Sequence, residues 1–313
     1  MFLLGRFAAG LGEGTYYGSQ YGISSNTINP KYRGIASAVI NSGMAVGISL
    51  GFIGSSYLTF DLGKSWQFVF MLFGVPTVIV ALLIGWLVKD KPTSQQSNEV
   101  KEVKEEKVPL KALFTRNHWL TYVLIFCSLY GFFGMLSWLP YYLQTARGID
   151  GSETGIIASI VPWAALPGAL FFGWLSDKLS KGNRKIMIIV LSFAGALCQV
   201  LIPYVDSFSM VIVGLIIYGL IGKLALDPIL IAYIADITPR SMYSKAYSFF
   251  NFAGMLSSIF APYITGYLAD VTGSIEIGFY LSGILLLIGG ICFVFTNKDA
   301  AFAVKEQQVE EAI

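Results

Sequence analysis

Phe68-Val-Phe-Met-Leu-Phe-Gly-Val-Pro76-Thr-Val-Ile-Val-Ala-Leu-Leu-Ile-Gly-Trp-Leu-Val88 is an apolar run without one charged residue. About 20 apolar residues in helical form cross the hydrocarbon core of a bilayer, and this run has that length. It is too long for a strand and shows no two-residue alternation, so a helix is predicted rather than a barrel strand. Lipid supplies no hydrogen-bond partners, so the backbone must satisfy itself within the segment, which again selects helix. Two runs of the same kind precede it, Phe2 to about Ile28 and Ile35 to Thr59. Six follow: Trp119–Leu143, Ile156–Leu175, Ile186–Tyr204, Phe208–Ile237, Ala246–Leu268 and Ile277–Phe295. The predicted fold class is all-α, a polytopic membrane protein with nine transmembrane helices.

The composition agrees. Of 313 residues, 55% are hydrophobic and 13% charged, against roughly 25% charged in an average soluble domain. A soluble protein of this length would need about twice these charges to cover its surface. Soluble enzymes, nucleic-acid binders and secreted disulfide scaffolds are therefore excluded. Cys127, Cys198 and Cys292 all fall inside apolar runs without metal or disulfide spacing, and His118 is the single histidine. No nucleophile–base pair or metal set is apparent, so no enzyme activity and no cofactor are predicted. The expected surroundings are the lipid bilayer, with no nucleic-acid partner.

Charges between the runs set the orientation. Taking loops alternately, one side carries 17 basic residues, including Lys31, Arg33, Lys178, Lys181, Arg184, Lys185, Arg240 and Lys245. The other side carries only Lys64 and Arg147, while Arg6 and Lys223 lie within runs. The basic side is predicted to be cytoplasmic, with the C-terminus on it, in the plasma membrane. Nine spans then put Met1 outside, where a helix begins with no polar flank and no basic signal-peptide start. This predicts a chain that starts partway through a longer architecture.

Residues 89–118 form the longest hydrophilic stretch, rich in Lys and Glu, and read as a cytoplasmic linker. The predicted organisation is a three-helix partial bundle at 1–88, the linker at 89–118, a six-helix bundle at 119–297 and a tail at 298–313. A repeat crosses the linker. Ile28-Asn-Pro-Lys-Tyr-Arg precedes a helix with Asn41 and Gly43; Ile237-Thr-Pro-Arg-Ser-Met precedes one with Asn251 and Gly254. The first three runs thus correspond to the last three, as in transporters built from two repeated halves.

Four ionisable residues lie deep within runs. Arg6 and Glu13 are seven apart and share a helix face. They are too far apart for a simple intrahelical pair, so each is expected to face a cavity or another helix. Intramembrane charges mark substrate or ion routes. Arg6 offers a permanent planar fork for a carboxylate or phosphate. Glu13, a carboxylate in a low-dielectric place, is suited to carry a proton. Lys223 and Asp227 are four apart on one face; a self-neutralising pair and a functional role, with Asp227 in proton coupling, both fit.

Polar aromatics are candidate cavity liners: Tyr16, Tyr17, Tyr130, Trp138, Tyr141, Tyr142, Tyr218 and Tyr233. Packing, or an interfacial aromatic belt for Tyr141 and Tyr142, is the structural alternative. Tyr17, Tyr130 and Asn251 fall toward mid-membrane on helices expected to face a cavity, so they join Arg6 as substrate-binding candidates. Gly43, Gly47 and Gly51 recur every fourth residue, a spacing that lets helices approach closely. Prolines 76, 140, 162, 167, 228 and 262 are expected to bend their helices.

Arg6-Phe-Ala-Ala-Gly10-Leu-Gly12-Glu13-Gly14 resembles the Arg-x-x-x-Gly-x-Gly-x-Gly fourth-helix motif of the major facilitator superfamily. Gly173-Trp-Leu-Ser-Asp177-Lys178, with Lys181, Arg184 and Lys185 behind, resembles that superfamily's Gly-x-x-x-Asp-(Arg/Lys) cytoplasmic loop motif in its second-half copy. Within the superfamily the chain is most similar to anion:cation symporters such as hexuronate, glucarate and phthalate permeases. Gly12-Glu13-Gly14 after Arg6, Ser137-Trp138-Leu139-Pro140-Tyr141-Tyr142-Leu143 before Ala146-Arg147-Gly148, and the Asp177 motif carry this similarity. The resemblance implies a twelve-helix architecture of which nine are present, without the first three. It implies substrate and proton handling at Arg6 and Glu13, and a cytoplasmic gate at Gly173, Asp177, Lys178 and Arg184. Lys223 and Asp227 match no motif of the family.

The function predicted is secondary transport by alternating access, as proton-coupled symport of a small organic anion such as a sugar acid. Protons, or sodium, would be the coupling ion. A drug–proton antiporter of the same fold is one alternative. Against it, the Gly-x-x-x-Gly-Pro-x-x-Gly-Gly pattern of such antiporters reads Gly47-Ile-Ser-Leu-Gly51-Phe52-Ile-Gly54-Ser55 here. A truncated, non-transporting remnant or sensor is the other alternative.

Overall fold

The computed structural model describes residues 2–87, 109–178 and 184–297, without the side chains at positions 2, 3, 6, 8, 13 and 15. Most of the predicted linker and the predicted tail lie outside the described residues. Ten α-helices follow in order: α1 Phe2–Thr27, α2 Arg33–Ser56, α3 Trp66–Leu87, α4 Arg116–Thr145, α5 Gly151–Lys178, α6 Arg184–Leu201, α7 Phe208–Ile221, α8 Lys223–Ile237, α9 Tyr243–Thr272 and α10 Ile277–Val294. Among the described residues there is no strand, and the protein is an all-α membrane bundle.

Among the described residues, eight helical stretches are long and apolar enough to cross a membrane. The first predicted run is not among them. It does form a helix of 26 residues, but Arg6, Glu13, Gln20, Asn26 and several hydroxyl residues dilute its apolar character. The two predicted copies of the repeat enter their helices alike: a 3₁₀ turn at Pro30–Tyr32 leads into α2, and one at Arg240–Met242 leads into α9.

The seventh run departs from expectation. Predicted as one helix over Phe208–Ile237, it is two helices that meet at Gly222. The Gly222 N–H donates to the Tyr218 carbonyl at 2.7 Å. A Cβ at Gly222 would lie 2.5 Å from that carbonyl oxygen and 2.9 Å from the Tyr218 ring, so only glycine fits. The chain restarts when Ala225 and Leu226 donate to the Gly222 carbonyl at 3.1 and 3.0 Å. All six prolines expected to bend helices lie inside continuous helices; the interruption falls at a glycine instead.

Helix α8 is the centre of the molecule. All 15 of its residues are buried, and α5, α2, α4 and α6 surround it. Helix α2 packs along α5, and α1 packs along α9. Helix α3 stands apart, with Val69 its one buried residue.

Inside a bilayer, helices associate through close packing more than through a hydrophobic force. Small residues therefore set the approaches. Between α2 and α5, a Cβ on Gly34 would sit 2.7 Å from the Gly173 carbonyl oxygen, and one on Gly173 would sit 2.9 Å from that of Gly34. Gly18 and Gly22 of α1 meet Ser248 and Ser244 of α9 in the same manner.

Among the described residues, nothing packs against the glycine stripe expected to mediate close helix approach. Gly43, Gly47 and Gly51 have no described atom within 4 Å of an added Cβ. Since alanine favours helix over glycine by about 1 kcal/mol, Gly47→Ala should melt at or above the wild-type temperature. Gly173→Ala should melt lower, because its methyl meets backbone. Thermal unfolding of purified protein in detergent checks both. A destabilised Gly47→Ala would mean that the stripe is packed after all.

Candidate functional site

A groove of about 670 Å3 runs between α1, α2 and α9. Tyr17, Gln20 and Tyr21 of α1, Asn41 of α2, and Ser248 and Asn251 of α9 give it a polar lining. Gly10 and Gly14 also border it. Positions 10, 14, 17 and 21 fall on one face of α1 at helical spacing. Positions 6 and 13 belong to the same stripe by register. The side chains of Arg6 and Glu13 themselves lie outside the described residues.

Ring contacts fix the groove wall. The Tyr17 ring lies 4.6 Å from that of Tyr21 and 6.4 Å from Phe250, between centroids. Tyr21 donates its hydroxyl proton to Asn41 Oδ1, tying α1 to α2. Below it, Tyr247 of α9 donates to the Ile231 carbonyl of α8 at 2.9 Å and shares a 2.7 Å hydrogen bond with Ser25 of α1. Four helices, α1, α2, α8 and α9, are thus linked through hydroxyl groups.

The structure brings Tyr17 and Asn251 together on this groove. Tyr130 is elsewhere. It is buried in α4 with its ring 6.4 Å from Phe126, and its hydroxyl has no described hydrogen-bond partner. Tyr142 accepts from Arg147 Nε at 2.7 Å, Tyr218 from Gln199 at 2.8 Å, and Trp138 donates to the Pro262 carbonyl at 3.1 Å. These aromatics are held by structural bonds.

The Asp177 motif forms a second constellation. Asp177, near the end of α5, receives the Gly34 N–H on Oδ1 and the Ile35 N–H on Oδ2, both at 2.9 Å. No side chain of α2's own cap residue bonds its first turn, so Asp177 caps α2 from another helix. The carboxylate faces the positive end of the α2 dipole. Arg184 then joins Asp177 at 2.7 Å and Asp236 at 3.0 Å. All three side chains are buried. One guanidinium thereby ties α2, α5, α6 and α8 at one end of the bundle. Gly173 lets α2 come close enough for this. Lys178 is exposed, its ammonium 4.9 Å from the Trp174 ring centroid.

A third constellation sits at the broken helix. Lys223 is the first residue of α8, and its ammonium lies 2.7 Å from Asp227 Oδ2. Both side chains are at most 5% exposed. Asp227 Oδ1 has no described hydrogen-bond partner. The Lys223 ammonium also lies 4.8 Å from the Phe132 ring centroid. A cation at a helix N-terminus opposes the dipole by about 0.3–1 kcal/mol, an expense that Asp227 offsets.

Sequence reasoning missed Asp236, Tyr21, Gln20 and the break at Gly222. Asp236 lies in the last turn of a long apolar run and reads as a loop-flanking charge. Tyr21 could have been found, since it is four residues after Tyr17 on the same face. Among the described residues no group of His, Cys, Asp and Glu could hold a metal.

The family described as Major Facilitator Superfamily matches residues 1–224 and, overlapping, 146–311. A protein of Escherichia coli named as a probable L-galactonate transporter is 24% identical, covering 95% of this chain and 69% of its own. A probable galactarate/D-glucarate transporter of Bacillus subtilis is 27% identical, covering 95% of this chain and 67% of its own. A phosphoglycerate transporter protein of Salmonella typhimurium is 28% identical, covering 97% of this chain and 70% of its own.

Proposed function

The chain belongs to the Major Facilitator Superfamily, and from that premise we propose that it is a proton-coupled symporter of a small hydroxylated organic anion such as a sugar acid, working by alternating access. Secondary transport follows from the family and from relatives named as transporters, and the protein is a membrane transporter rather than an enzyme. Substrate, coupling ion and direction are the proposal.

The observation that carries it is the groove between α1, α2 and α9. Its hydroxyl and amide lining from Tyr17, Gln20, Tyr21, Asn41 and Asn251 suits a molecule with several hydroxyls. The relatives are named as a probable L-galactonate transporter, a probable galactarate/D-glucarate transporter and a phosphoglycerate transporter, and each named substrate is an anion bearing hydroxyl groups. Arg6, on the groove stripe by register, would take the substrate's carboxylate as a bidentate fork. Glu13, on the same stripe, would carry the coupled proton, with Asp227 a second titratable carboxylate within the bundle. Tyr130 would act at a distance from the groove, from inside α4.

The Asp177–Arg184–Asp236 cluster would be the cytoplasmic gate. It holds the α2 N-terminus against α5 while the groove is open, and it must release for the groove to close and reopen on the other side. The split of 17 basic loop residues against two supports placing the gate and the C-terminus in the cytoplasm and the chain in the plasma membrane. The division into bundles at 1–88 and 119–297 goes with this reading.

The test is uptake by purified protein in liposomes, with labelled D-glucarate and L-galactonate as probes. An inward proton gradient should drive accumulation of at least one of them, and a protonophore should abolish it. Accumulation that follows a sodium gradient alone, or uptake of neither probe, would overturn the proposal.

A further inference from the structure

We propose that the protein binds one water molecule in a chamber between α4, α6, α9 and α10, as a structural ligand that joins these four helices. The site is separate from the groove, and it depends on neither the substrate nor the coupling ion.

The chamber measures about 10 Å3, room for a single water. Gln199 of α6, Thr265 of α9 and Ser282 of α10 line it beside Gly131 and Gly134 of α4. The three polar residues are each 1% exposed. The two glycines let them converge. A Cβ on Gly131 would lie 2.5 Å from Gln199 Nε2 and 2.9 Å from its Oε1, so the amide rests against bare backbone. A Cβ on Gly134 would lie 3.4 Å from Ser282 Oγ and 3.9 Å from Thr265 Oγ1, so both hydroxyls approach the same point.

Two of the three side chains there are left unmet. A hydroxyl in a helix can donate to the carbonyl one turn back. Thr121, Ser192 and Ser282 do so, at 2.7, 2.7 and 2.6 Å. Thr265 does not, and its Oγ1 has no described hydrogen-bond partner. Gln199 gives its Nε2 to the Tyr218 hydroxyl at 2.8 Å, and its Oε1 is likewise without a described partner. The hydroxyl of Tyr130, a neighbour of Thr265, is a third such group. Lipid supplies no solvent to groups like these, and leaving them unmet is costly.

Water fits this set of atoms. It both donates and accepts, so it can donate to Gln199 Oε1 and Ser282 Oγ and accept from Thr265. No carboxylate lines the chamber, so a cation would sit there without a counter-charge. Trp138 and Ile275 line both the chamber and an open recess of about 520 Å3 at the ends of α4 and α9, which gives water a way in. Through Gln199 the water braces Tyr218, whose carbonyl accepts the Gly222 N–H at the break between α7 and α8.

The experiment begins with pulsed X-ray hydroxyl-radical labelling of the detergent-purified chain, read by mass spectrometry. Radicals formed from a bound water oxidise the side chains beside it. Met135 borders the chamber and is 6% exposed, whereas Met187, at 8%, does not border it. Met135 should be oxidised several-fold faster than Met187; equal rates overturn the proposal. Gly134→Ser puts a hydroxyl where the water binds. It should melt at or above the wild-type temperature, with Met135 labelling reduced to that of Met187. Gly134→Ala excludes the water and offers no hydrogen bond, so it should melt several degrees below Gly134→Ser, although alanine is the better helix former. The reverse order overturns the proposal. Melting in sodium chloride and in choline chloride of equal ionic strength should agree. A sodium-specific rise that Gln199→Leu abolishes would make the occupant a cation, which also overturns it. Labelling of the wild type needs no variant and decides the matter if one fails to fold.

Discussion

Replacing Arg184 with Ala should destabilise the protein more than any other single change to its buried charges. The guanidinium joins Asp177 at 2.7 Å and Asp236 at 3.0 Å, with all three side chains buried. Removing it leaves two carboxylates facing each other without a cation. Breaking a buried pair by deleting one partner costs about 3–5 kcal/mol, and here both acids lose their partner together. Asp177 keeps the Gly34 and Ile35 N–H groups, so part of its negative charge remains answered; Asp236 is left worse off. Arg184→Lys should fall between, since one ammonium cannot match two carboxylates as a fork does. Thermal melting in detergent reads the series. A triple variant, Arg184→Met with Asp177→Asn and Asp236→Asn, should recover much of the loss because no charge stays unpaired. An Arg184→Ala protein that melts like the wild type would show that the cluster is not held together by charge.

The second large effect is on coupling. A gradient of one pH unit is worth 1.36 kcal/mol per proton, or about tenfold accumulation. With the membrane potential clamped, wild-type vesicles should approach that ratio for one coupled proton. Glu13→Gln should bring the ratio to unity, because the amide cannot take up and release a proton. Exchange of labelled for unlabelled substrate across vesicles at equal pH should persist, since exchange needs no net proton movement. Uphill accumulation by Glu13→Gln would remove Glu13 from the proton path and leave Asp227 as the carboxylate to examine.

Much of the architecture was legible because lipid imposes a simple length rule. Eight of the nine predicted runs are helical stretches apolar enough to span, the seventh of them broken at Gly222, with outer bounds within a few residues of those observed. The first run forms a helix too, yet its polar content is what makes it a groove wall. Hydropathy could not register the break at Gly222, because both sides of it are equally apolar. The deciding fact there is the approach of the Tyr218 carbonyl, which belongs to geometry. The Gly43–Gly47–Gly51 stripe misled for the same reason: spacing states what a helix face permits and not what lies opposite.

The candidate site divides in the same way. Asp177 and Arg184 were legible because their motif is contiguous in sequence. Asp236 was not, being 52 residues from the guanidinium it meets. Tyr17 and Asn251 both line one groove. Tyr130 had the same sequence credentials but turned into the packed interior of α4. Rotation about a helix axis depends on neighbours far away in sequence, which a single helix pattern does not record.

Enclosure of α8 on all sides has a bearing on how this chain can change over generations. Along α7, Val211, Leu215, Tyr218 and Gly219 form one buried stripe, while Met210, Val213, Ile216 and Ile217 face outward. Outward positions can trade one apolar side chain for another singly, at almost no expense. Past Gly222 that freedom ends, because each substitution in α8 must fit several neighbouring helices simultaneously. Drift should therefore be quick on one half of this membrane crossing and slow on the other. A library built on the upstream half would return many folded variants. One built on the downstream half would demand compensating partners, chosen together, from α2, α4, α5 and α6.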